Sequence, residues 1–365
     1  MAGLLPFVAE QRLVDHHCHG VLLRDADEAT LAATLTEGGP FPGGSPFDSA
    51  IGMAFRRLCP PVLGLHPDAP VSEYVKRRAE LGIDAVNRRF LRAASLSAMC
   101  VDTGYTPEPI TSPAQLGELA GAEAFEIVRL EPVAEQAAAS GVDAAGFANA
   151  VRVELSRRAA SAVGFKSIAA YRVGLELRPE RPTDTEVEAA AGDFLRAFGR
   201  PGGNPRLASE TLHRFLIWSA NDAGKPIQFH VGYGDQDVNL HQCNPLLLTP
   251  LIRELSAPVM LLHNYPFHRE AGYLAQAFPH VYVDVGLATH NLGFRASALL
   301  DEALELTPYG KFLYSSDAFG LPELYYLGAA LFRRALSDYL RDLPEAERIA
   351  ELMCAGNARR VYGLE

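Results

Sequence analysis

The sequence predicts an α/β fold in which eight parallel strands close into a barrel surrounded by helices. Short apolar runs alternate with segments whose apolar residues recur at helical spacing, and this alternation is typical of parallel sheets with crossover helices. Eight such runs occur, which is the number of strands in a (β/α)8 TIM barrel. The predicted strands are residues 13–18, 98–102, 127–130, 164–169, 226–230, 259–263, 281–285 and 312–316.

Capping signals support the helices between these strands. Thr183 and Glu186 have the spacing of a capping box and predict the start of one helix. The apolar spacing of residues 207–223 predicts a second helix that ends before Gly224. Pro322 stands where a long amphipathic helix over residues 324–339 would begin.

One connection is too long for a simple repeat of strand and helix. Residues 21–97 separate the first two predicted strands, whereas such loops usually have about 2–6 residues. The segment contains loop-like patches at 38–44 and 59–70 and a helical pattern over 72–96. We predict a helical insertion after strand 1 on the barrel face where active sites form, within a single domain of residues 1–365. A second independent domain is the alternative.

The composition excludes several classes of protein. A formal net charge of −11, from 33 basic and 44 acidic residues, argues against binding to nucleic acid or to an anionic membrane. The five cysteines contain no CxxC pair, so we expect neither a disulfide framework nor a four-cysteine zinc site. No basic leader and no apolar run of ~18 residues is visible, and we predict a cytoplasmic protein without a membrane partner.

The first predicted strand ends in two histidines that are candidates for binding a metal ion. His17 and His19 are separated by one residue, so on a strand both side chains point to the same face. Two neutral imidazoles on neighbouring rungs can reach one cation. Ordinary polar residues at the end of a strand are the alternative.

Later predicted strands also end in residues that bind metals. His230, His263 and Asp317 stand at the ends of strands five, six and eight, where barrel active sites are built. Imidazoles and a carboxylate suit zinc or another divalent first-row metal. Lys166, at the fourth strand, repels a metal unless it loses its charge, pairs with an acid or is carbamylated to a bridging carboxylate. The alternatives are a structural ion pair for Lys166 and a hydrogen-bonding role for His263.

Residues near these strand ends are candidates for binding a substrate. Arg172 could hold a substrate carboxylate with two parallel hydrogen bonds, the alternative being a surface or helix-end arginine. Tyr233 belongs to a glycine-rich loop that could approach a ligand. His241 and His268 lie near strand ends and could contact substrate.

This ordered set of residues resembles the amidohydrolase superfamily and, within it, the amidohydrolase-2 family. The family pattern has HxH on strand one, Lys or Glu on strand four where two metals bind, His on strands five and six, and Asp on strand eight. The residues that match it position by position are His17, His19, Lys166, His230, His263 and Asp317. The resemblance therefore spans nearly the whole chain. The strings at 164–172 and 263–266 also resemble the branch found beside, or fused to, glutamine synthetase-like domains.

The resemblance implies metal-assisted hydrolysis. A divalent cation lowers the pKa of its bound water from about 15.7 towards 7, and zinc is the expected ion, with manganese or iron as alternatives. Asp317 would bind the metal and move the proton of the water, and His263 would help to polarise the substrate carbonyl. With two ions, Lys166 would be a carbamylated bridge and His263 would contact the second metal.

We therefore predict a metal-dependent amidohydrolase that cleaves an amide C–N bond, other than a peptide bond, in a small carboxylated substrate. The closer match suggests a γ-glutamyl amide. The alternatives are a one-metal decarboxylase, hydratase or uronate isomerase of the same family, and a catalytically silent binding domain. A homo-oligomer and a functional link to a glutamine synthetase-like protein are further expectations.

Overall fold

Parallel strands form the sheet in the computed structural model, which describes residues 3–199 and 206–364. The strands are β1 (Leu13–Cys18), β2 (Leu96–Asp102), β3 (Glu123–Arg129), β4 (Gly164–Ser167), β5 (Ile227–Val231), β6 (Val259–His263) and β7 (Val281–Val283). Their order in the sheet is their order in the chain, and each pair is parallel. This confirms the predicted α/β fold. The bounds of β1 and β6 are those predicted, whereas β3 begins four residues earlier.

The segment predicted as the eighth strand closes the barrel between β7 and β1. The Leu313 N–H donates to the Val283 carbonyl of β7 over 3.0 Å. On the other side, the His16 N–H of β1 donates to the Tyr314 carbonyl over 3.1 Å. The sheet is therefore a TIM barrel, although this last segment is not a regular strand.

Hydrogen bonds from a side chain, that of Asp15, replace the backbone hydrogen bonds between strands where the eighth strand was expected to continue. The Asp15 carboxylate accepts the N–H of Ser316 over 2.9 Å and its hydroxyl over 2.5 Å. Directly afterwards, the Asp317 N–H donates to the His17 carbonyl over 2.9 Å. Because Asp15 takes the hydrogen bonds that a neighbouring strand would form, the predicted strand 312–316 reduces to an isolated bridge at Phe312.

Helices surround the sheet and fill the connections. Those described are α1 (Pro6–Glu10), α2 (Glu28–Thr34), α3 (Ala50–Val62), α4 (Val71–Leu81), α5 (Ile83–Ala93), α6 (Pro113–Ala120), α7 (Leu130–Ala139), α8 (Ala144–Ala159), α9 (Ala169–Arg172), α10 (Asp184–Phe198), α11 (Glu210–Asp222), α12 (Thr249–Glu254), α13 (His268–Ala277), α14 (Gly286–Asn291), α15 (Ala296–Ala303), α16 (Pro322–Leu340), α17 (Ala346–Glu351) and α18 (Asn357–Tyr362). Within the described ranges, none of these helices has both the length and the apolar character needed to cross a bilayer.

The capping signals predicted the helix ends well. The Thr183 hydroxyl accepts the Glu186 N–H, and the Glu186 carboxylate accepts the Thr183 N–H, which is the capping box expected at the start of α10. Gly224 follows α11 with a φ of 67°, in the left-handed region that glycine adopts without steric cost. Pro322 is the first residue of α16, because its missing N–H is not needed there.

The long connection after β1 is helical. It contains α2, α3, α4 and α5, and the predicted helix over 72–96 is divided into α4 and α5. The break is at Gly82, whose φ of 78° is incompatible with a continuous α-helix. Residues at the end of α2 and just after it, including Glu37, line the main cavity. The assignment of residues 21–97 to an insertion in one domain stays a prediction.

Two consecutive histidines of β1 face the inside of the barrel. The pairing of β1 with β2 shifts register between Asp15 and Cys18, so the strict alternation of side chains is interrupted there. As a result, His16 contacts Tyr362 of α18 inside the barrel, and His17 contacts the inward-facing Gln228 of β5. The sequence pattern alone predicts only one of these two rings on the inner face.

Candidate metal centre

Three imidazoles surround one carboxylate at the carboxyl ends of the strands. The Nε2 atom of His17 lies 2.9 Å from Asp317 Oδ1, and the Nε2 atom of His19 lies 3.4 Å from the same oxygen. The Nε2 atom of His263, at the end of β6, lies 3.6 Å from Asp317 Oδ2. We call His17, His19, His263 and Asp317 the site cluster. Its members come from β1, β6 and the segment that closes the barrel.

Hydrogen bonds at the Nδ1 atoms of His17 and His19 determine whether Nε2 presents a proton or a lone pair to Asp317. His17 Nδ1 lies 2.8 Å from Gln228 Oε1, and His19 Nδ1 lies 3.3 Å from the Asp102 carbonyl oxygen. These oxygens only accept, so each Nδ1 must donate. A neutral imidazole has one N–H, and both Nε2 lone pairs therefore point at the Asp317 carboxylate. A cation or a proton between them would stabilise such a convergence of acceptors.

Burial keeps two imidazoles of the site cluster, those of His17 and His263, neutral. It lowers the pKa of His17 to about 3, with a further contribution from the nearby Lys166 ammonium. Burial likewise lowers the pKa of His263 to about 4. Burial alone would raise the pKa of Asp317, but the neighbouring His263, His17 and His19 side chains hold it well below its usual value. Neutral imidazoles beside an ionised carboxylate are ligands for divalent first-row metals.

The spacing of these atoms also suits a metal ion. Ligands bound about 2.0–2.2 Å from a zinc ion lie roughly 3–3.5 Å from one another, and the three contacts to Asp317 measure 2.9, 3.4 and 3.6 Å. His230, at the end of β5, adds a buried Nε2 atom that makes no hydrogen bond within the described part of the chain. Its ring lies 4.8 Å from that of His263. The residues therefore fit a divalent cation.

Lys166 lies against the same cluster. Its Nζ atom is 3.3 Å from His17 Nε2, and the residue is only 2% exposed. Burial lowers its pKa to about 8, although Asp317 and Asp102 favour the charged form. The structure thus brings Lys166, His17 and Asp317 together, as the sequence predicted.

Asp102 could in principle form a second metal-binding set with His17 and His19, since their donor atoms lie within 4.8 Å of one another. However, the Asp102 carboxylate already accepts two hydrogen bonds from Arg129, over 3.0 and 2.7 Å, and one from the Gly104 N–H over 2.9 Å. Its charge is therefore matched by the guanidinium. Among residues 3–199 and 206–364, no arginine or lysine pairs with Asp317 in this way, so Asp317 is the better ligand.

The backbone is strained where two members of the site cluster are attached. The φ values are 68° at His263, 58° at Asn264 and 51° at Asp317, in the left-handed region that residues other than glycine rarely adopt. The Asn264 amide donates to the carbonyls of Leu261 (2.6 Å) and Asp284 (2.9 Å), which holds this turn. Strain of this kind is concentrated at functional sites.

A cavity of about 560 Å³ opens above the site cluster. Its wall combines basic side chains (Arg129, Arg172, Arg206), acidic side chains (Glu37, Asp235, Asp237) and the aromatic rings of Tyr105, Tyr171 and Phe319. The cavity is large enough for a small molecule that carries both positive and negative charge.

Comparison with known proteins identifies the family. A family model described as amidohydrolase matches residues 107–364, more than half of the chain. The chain belongs to the amidohydrolase family. His17 and His19 lie outside the matched region, so their geometry in the structure is an independent observation.

Related proteins agree with this assignment. The solved structure of a protein described as a metal-dependent hydrolase, from Lactobacillus casei, is 31% identical, and the alignment covers 98% of this chain and 96% of that one with a TM-score of 0.87. Uronate isomerase from Thermotoga maritima is 13% identical over 98% of this chain and 95% of its own, with a TM-score of 0.54, a likeness that shows the fold alone. The amidohydrolase family and the first of these neighbours indicate a metal-dependent hydrolase.

A curated relative is longer than this chain. Protein fluG of Emericella nidulans is 35% identical over 222 residues, which are 55% of this chain and 26% of fluG. The aligned part of the chain thus spans about a quarter of fluG.

Arg172 is the predicted substrate residue that lines the cavity of this amidohydrolase. Its Nη2 atom lies 3.7 Å from Glu135 Oε1, outside hydrogen-bond distance. Its Nε and Nη1 atoms are buried and find no hydrogen-bond partner among residues 3–199 and 206–364. A guanidinium with two unsatisfied N–H groups beside a cavity is suited to bind an oxyanion.

The other three predicted substrate residues lie elsewhere. The Tyr233 hydroxyl donates to the Leu287 carbonyl over 3.2 Å. His268 Nε2 is 2.8 Å from the Glu302 carboxylate, and His241 is exposed in the loop after β5. Among the described residues that line the cavity, these three are absent. The Tyr233 and His268 side chains thus contact other residues, and His241 is exposed.

Several residues of the site were not predicted from the sequence. Gln228 stands two positions before His230 on β5, and the period of a strand could have placed it on the inner face. Tyr171 directly precedes Arg172, and its ring lies 4.5 Å from that of His230. Glu37 reaches the cavity from the insertion, and no local pattern distinguishes it from other exposed carboxylates.

Proposed function

We propose that this amidohydrolase hydrolyses an amide C–N bond, other than a peptide bond, in a small carboxylated substrate. The observation that carries the proposal is the convergence of acceptors in the site cluster. The Nε2 lone pairs of His17 and His19 face Asp317 Oδ1 over 2.9 and 3.4 Å, and only a cation or a proton can stabilise such an arrangement. Zinc is the ion that this donor set favours, and manganese or iron are the alternatives.

The residues of the site would have different roles in the proposed hydrolysis. When bound, a divalent cation polarises a carbonyl and acidifies a water molecule. His17, His19 and Asp317 would hold it, with His230 or His263 as further ligands. The second oxygen of Asp317 would accept the proton of the attacking water and transfer it to the amine that leaves. His263, 3.6 Å from that oxygen, would orient the substrate carbonyl.

The cavity wall supports a γ-glutamyl amide as substrate. A γ-glutamyl group has a carboxylate and an ammonium group on the same carbon. Arg172 lines the cavity, and its guanidinium would pair with the carboxylate. Asp235 lines the same cavity, and its carboxylate would attract the ammonium.

A matched series of substrates tests this proposal. The zinc-loaded protein is assayed with γ-glutamyl amides, with glutaryl amides that lack the amino group, and with amides whose carboxylate is replaced by carboxamide. We expect the γ-glutamyl compounds to be the best substrates and both replacements to lower kcat/KM by at least tenfold, since each removes one charged contact. Equal turnover of all three, or turnover of none, would refute the substrate class.

The number of metal ions separates hydrolysis from its alternatives. With two ions we propose that Lys166 is a carbamylated bridge and that His263 contacts the second metal. Elemental analysis together with the intact mass of the protein decides this. Two ions and an added mass of a carbamate favour hydrolysis, whereas one ion and an unmodified Lys166 favour a decarboxylase, hydratase or uronate isomerase.

Other predictions accompany this function. We propose a cytoplasmic location, a homo-oligomer and a functional link to a glutamine synthetase-like protein. A protein that binds no divalent metal in a titration would instead be a catalytically silent binding domain.

A further inference from the structure

A second set of polar side chains lies inside the barrel, below the site cluster. It consists of His16, Gln228, Asp284 and Tyr362, which we call the interior network. The first three are completely buried, and Tyr362 is 6% exposed. With a neutral His16 ring, the partners allow one assignment of donors and acceptors in the shared contacts.

The amide of Gln228 has a fixed orientation. Its Nε2 atom lies 2.7 Å from the His16 carbonyl oxygen and 2.8 Å from the Tyr362 hydroxyl oxygen. The carbonyl can only accept, so the atom that faces it must be the NH2 group. Rotating the amide by 180° would place two carbonyl oxygens against each other in a buried site, at a cost of about 1–3 kcal/mol.

The remaining protons of the network then follow. Since the Tyr362 oxygen accepts from Gln228, its own proton is available for His16 Nδ1, 3.0 Å away. His16 therefore carries its proton on Nε2 and donates it to Asp284 Oδ2 over 2.7 Å. The other oxygen of Asp284 accepts the His263 N–H over 2.7 Å, so the network also holds the backbone of a site-cluster residue.

Gln228 Oε1 points out of this network, towards His17. It lies 2.8 Å from His17 Nδ1 and has no proton to offer. At the other nitrogen of the same ring, Lys166 Nζ lies 3.3 Å away and can donate. The assignment that satisfies both contacts puts the His17 proton on Nδ1 and makes Nε2 an acceptor.

We propose that Gln228 is a positioning residue that fixes the tautomer of His17 in the form that can bind a metal, and that the His16 carbonyl and the Tyr362 hydroxyl impose the orientation of Gln228. The inference rests on the metal-binding role of His17 given under the proposed function. Without the acceptor at position 228, the proton would move to Nε2, where Asp317 Oδ1 lies only 2.9 Å away. That proton would occupy the position of the cation.

The test is nuclear magnetic resonance of the full chain with ¹⁵N-labelled histidine, free of metal at neutral pH, with the His17 signals assigned by the loss of one ring in His17→Gln. The variants are Gln228→Met, which has a similar length but no acceptor, and Gln228→Glu, which keeps an acceptor oxygen. We expect the wild type and Gln228→Glu to have the proton on Nδ1 and Gln228→Met to have it on Nε2. Zinc titration should show an affinity about 10–100-fold weaker for Gln228→Met.

Two results would overturn the inference: a wild-type His17 with its proton on Nε2, or a folded Gln228→Met with the wild-type tautomer and zinc affinity. Gln228→Leu replaces Gln228→Met if that variant does not fold, and the same outcomes apply. The failure of the proposed function is distinguishable, because it would appear as a wild-type protein that has the expected tautomer and binds no zinc.

Discussion

The site cluster and the interior network each include a histidine of β1, at the consecutive positions 17 and 16, yet their hydrogen bonding differs. In the interior network, donors and acceptors match: His16 has a partner at each ring nitrogen, at 3.0 and 2.7 Å. In the site cluster, acceptors meet acceptors, and the Nε2 atom of the neighbouring His230 has no partner in the described residues. Buried polar groups whose donors and acceptors all have partners stabilise one structure. Buried polar groups that lack partners indicate a site that a ligand completes.

The largest expected effect comes from removing a member of the site cluster. Asp317→Asn keeps the volume of the side chain but removes its charge and its basic oxygen. We expect kcat to fall about a thousandfold or more and the metal to be lost, with an unchanged circular dichroism spectrum. His17→Ala should behave in the same way. Full activity in a metal-free preparation of either variant would contradict the account.

Removing a member of the interior network should act on stability first. Asp284 accepts hydrogen bonds from His16, from the His263 N–H and from the Gly286 N–H (2.9 Å). Asp284→Ala leaves these donors buried, so we expect the free energy of unfolding to fall by about 3 kcal/mol in urea denaturation. Asp193→Ala, at an exposed carboxylate of α10, is the control and should change it by less than about 0.5 kcal/mol. Equal effects would mean that the network does not stabilise the barrel.

Metal should stabilise the protein through the site cluster alone. At a free zinc concentration of about 100 times Kd, binding to the folded state adds about 2.7 kcal/mol to the free energy of unfolding. We expect zinc to raise the Tm of the wild type and to leave that of His17→Ala unchanged. A rise of the same size in both proteins would place the ion elsewhere.

A smaller effect is expected from Arg172, the unsatisfied cation in the cavity wall. Arg172→Lys keeps the charge but loses the planar pair of donors, and we expect KM for a carboxylated substrate to rise about tenfold with little change in kcat. Arg348→Lys, at an exposed arginine of α17, is the matched control. A change confined to kcat would argue against a role in binding the carboxylate.

Much of the fold could be predicted from the sequence because strand and helix periods are local. β1 and β6 have the predicted bounds, and the capping box at Thr183 marks the start of α10. The eighth strand was predicted as regular because its residues are apolar, whereas the Asp15 side chain, 301 positions away in the chain, replaces the ladder at Ser316. A contact between residues so far apart in the chain produces no pattern in the local sequence.

The residues of the candidate site also include some that the sequence pattern predicts and some that it does not. The ordered residues from His17 to Asp317 could be found because the carboxyl ends of barrel strands meet at one face. The inward turn of His16 depends on a register shift in β1, and the position of Tyr362 depends on the docking of the last helix. His241 and His268 were selected by sequence distance from strand ends, which does not determine the direction of a side chain.

The central claim is that the site cluster binds a divalent cation. A crystal structure of the zinc-loaded protein, with anomalous scattering at the zinc edge, tests it most directly. The account predicts an anomalous peak about 2.0–2.2 Å from the Nε2 atoms of His17 and His19 and from an oxygen of Asp317. A fully loaded protein whose anomalous peaks all lie beyond bonding distance of these three residues would contradict it.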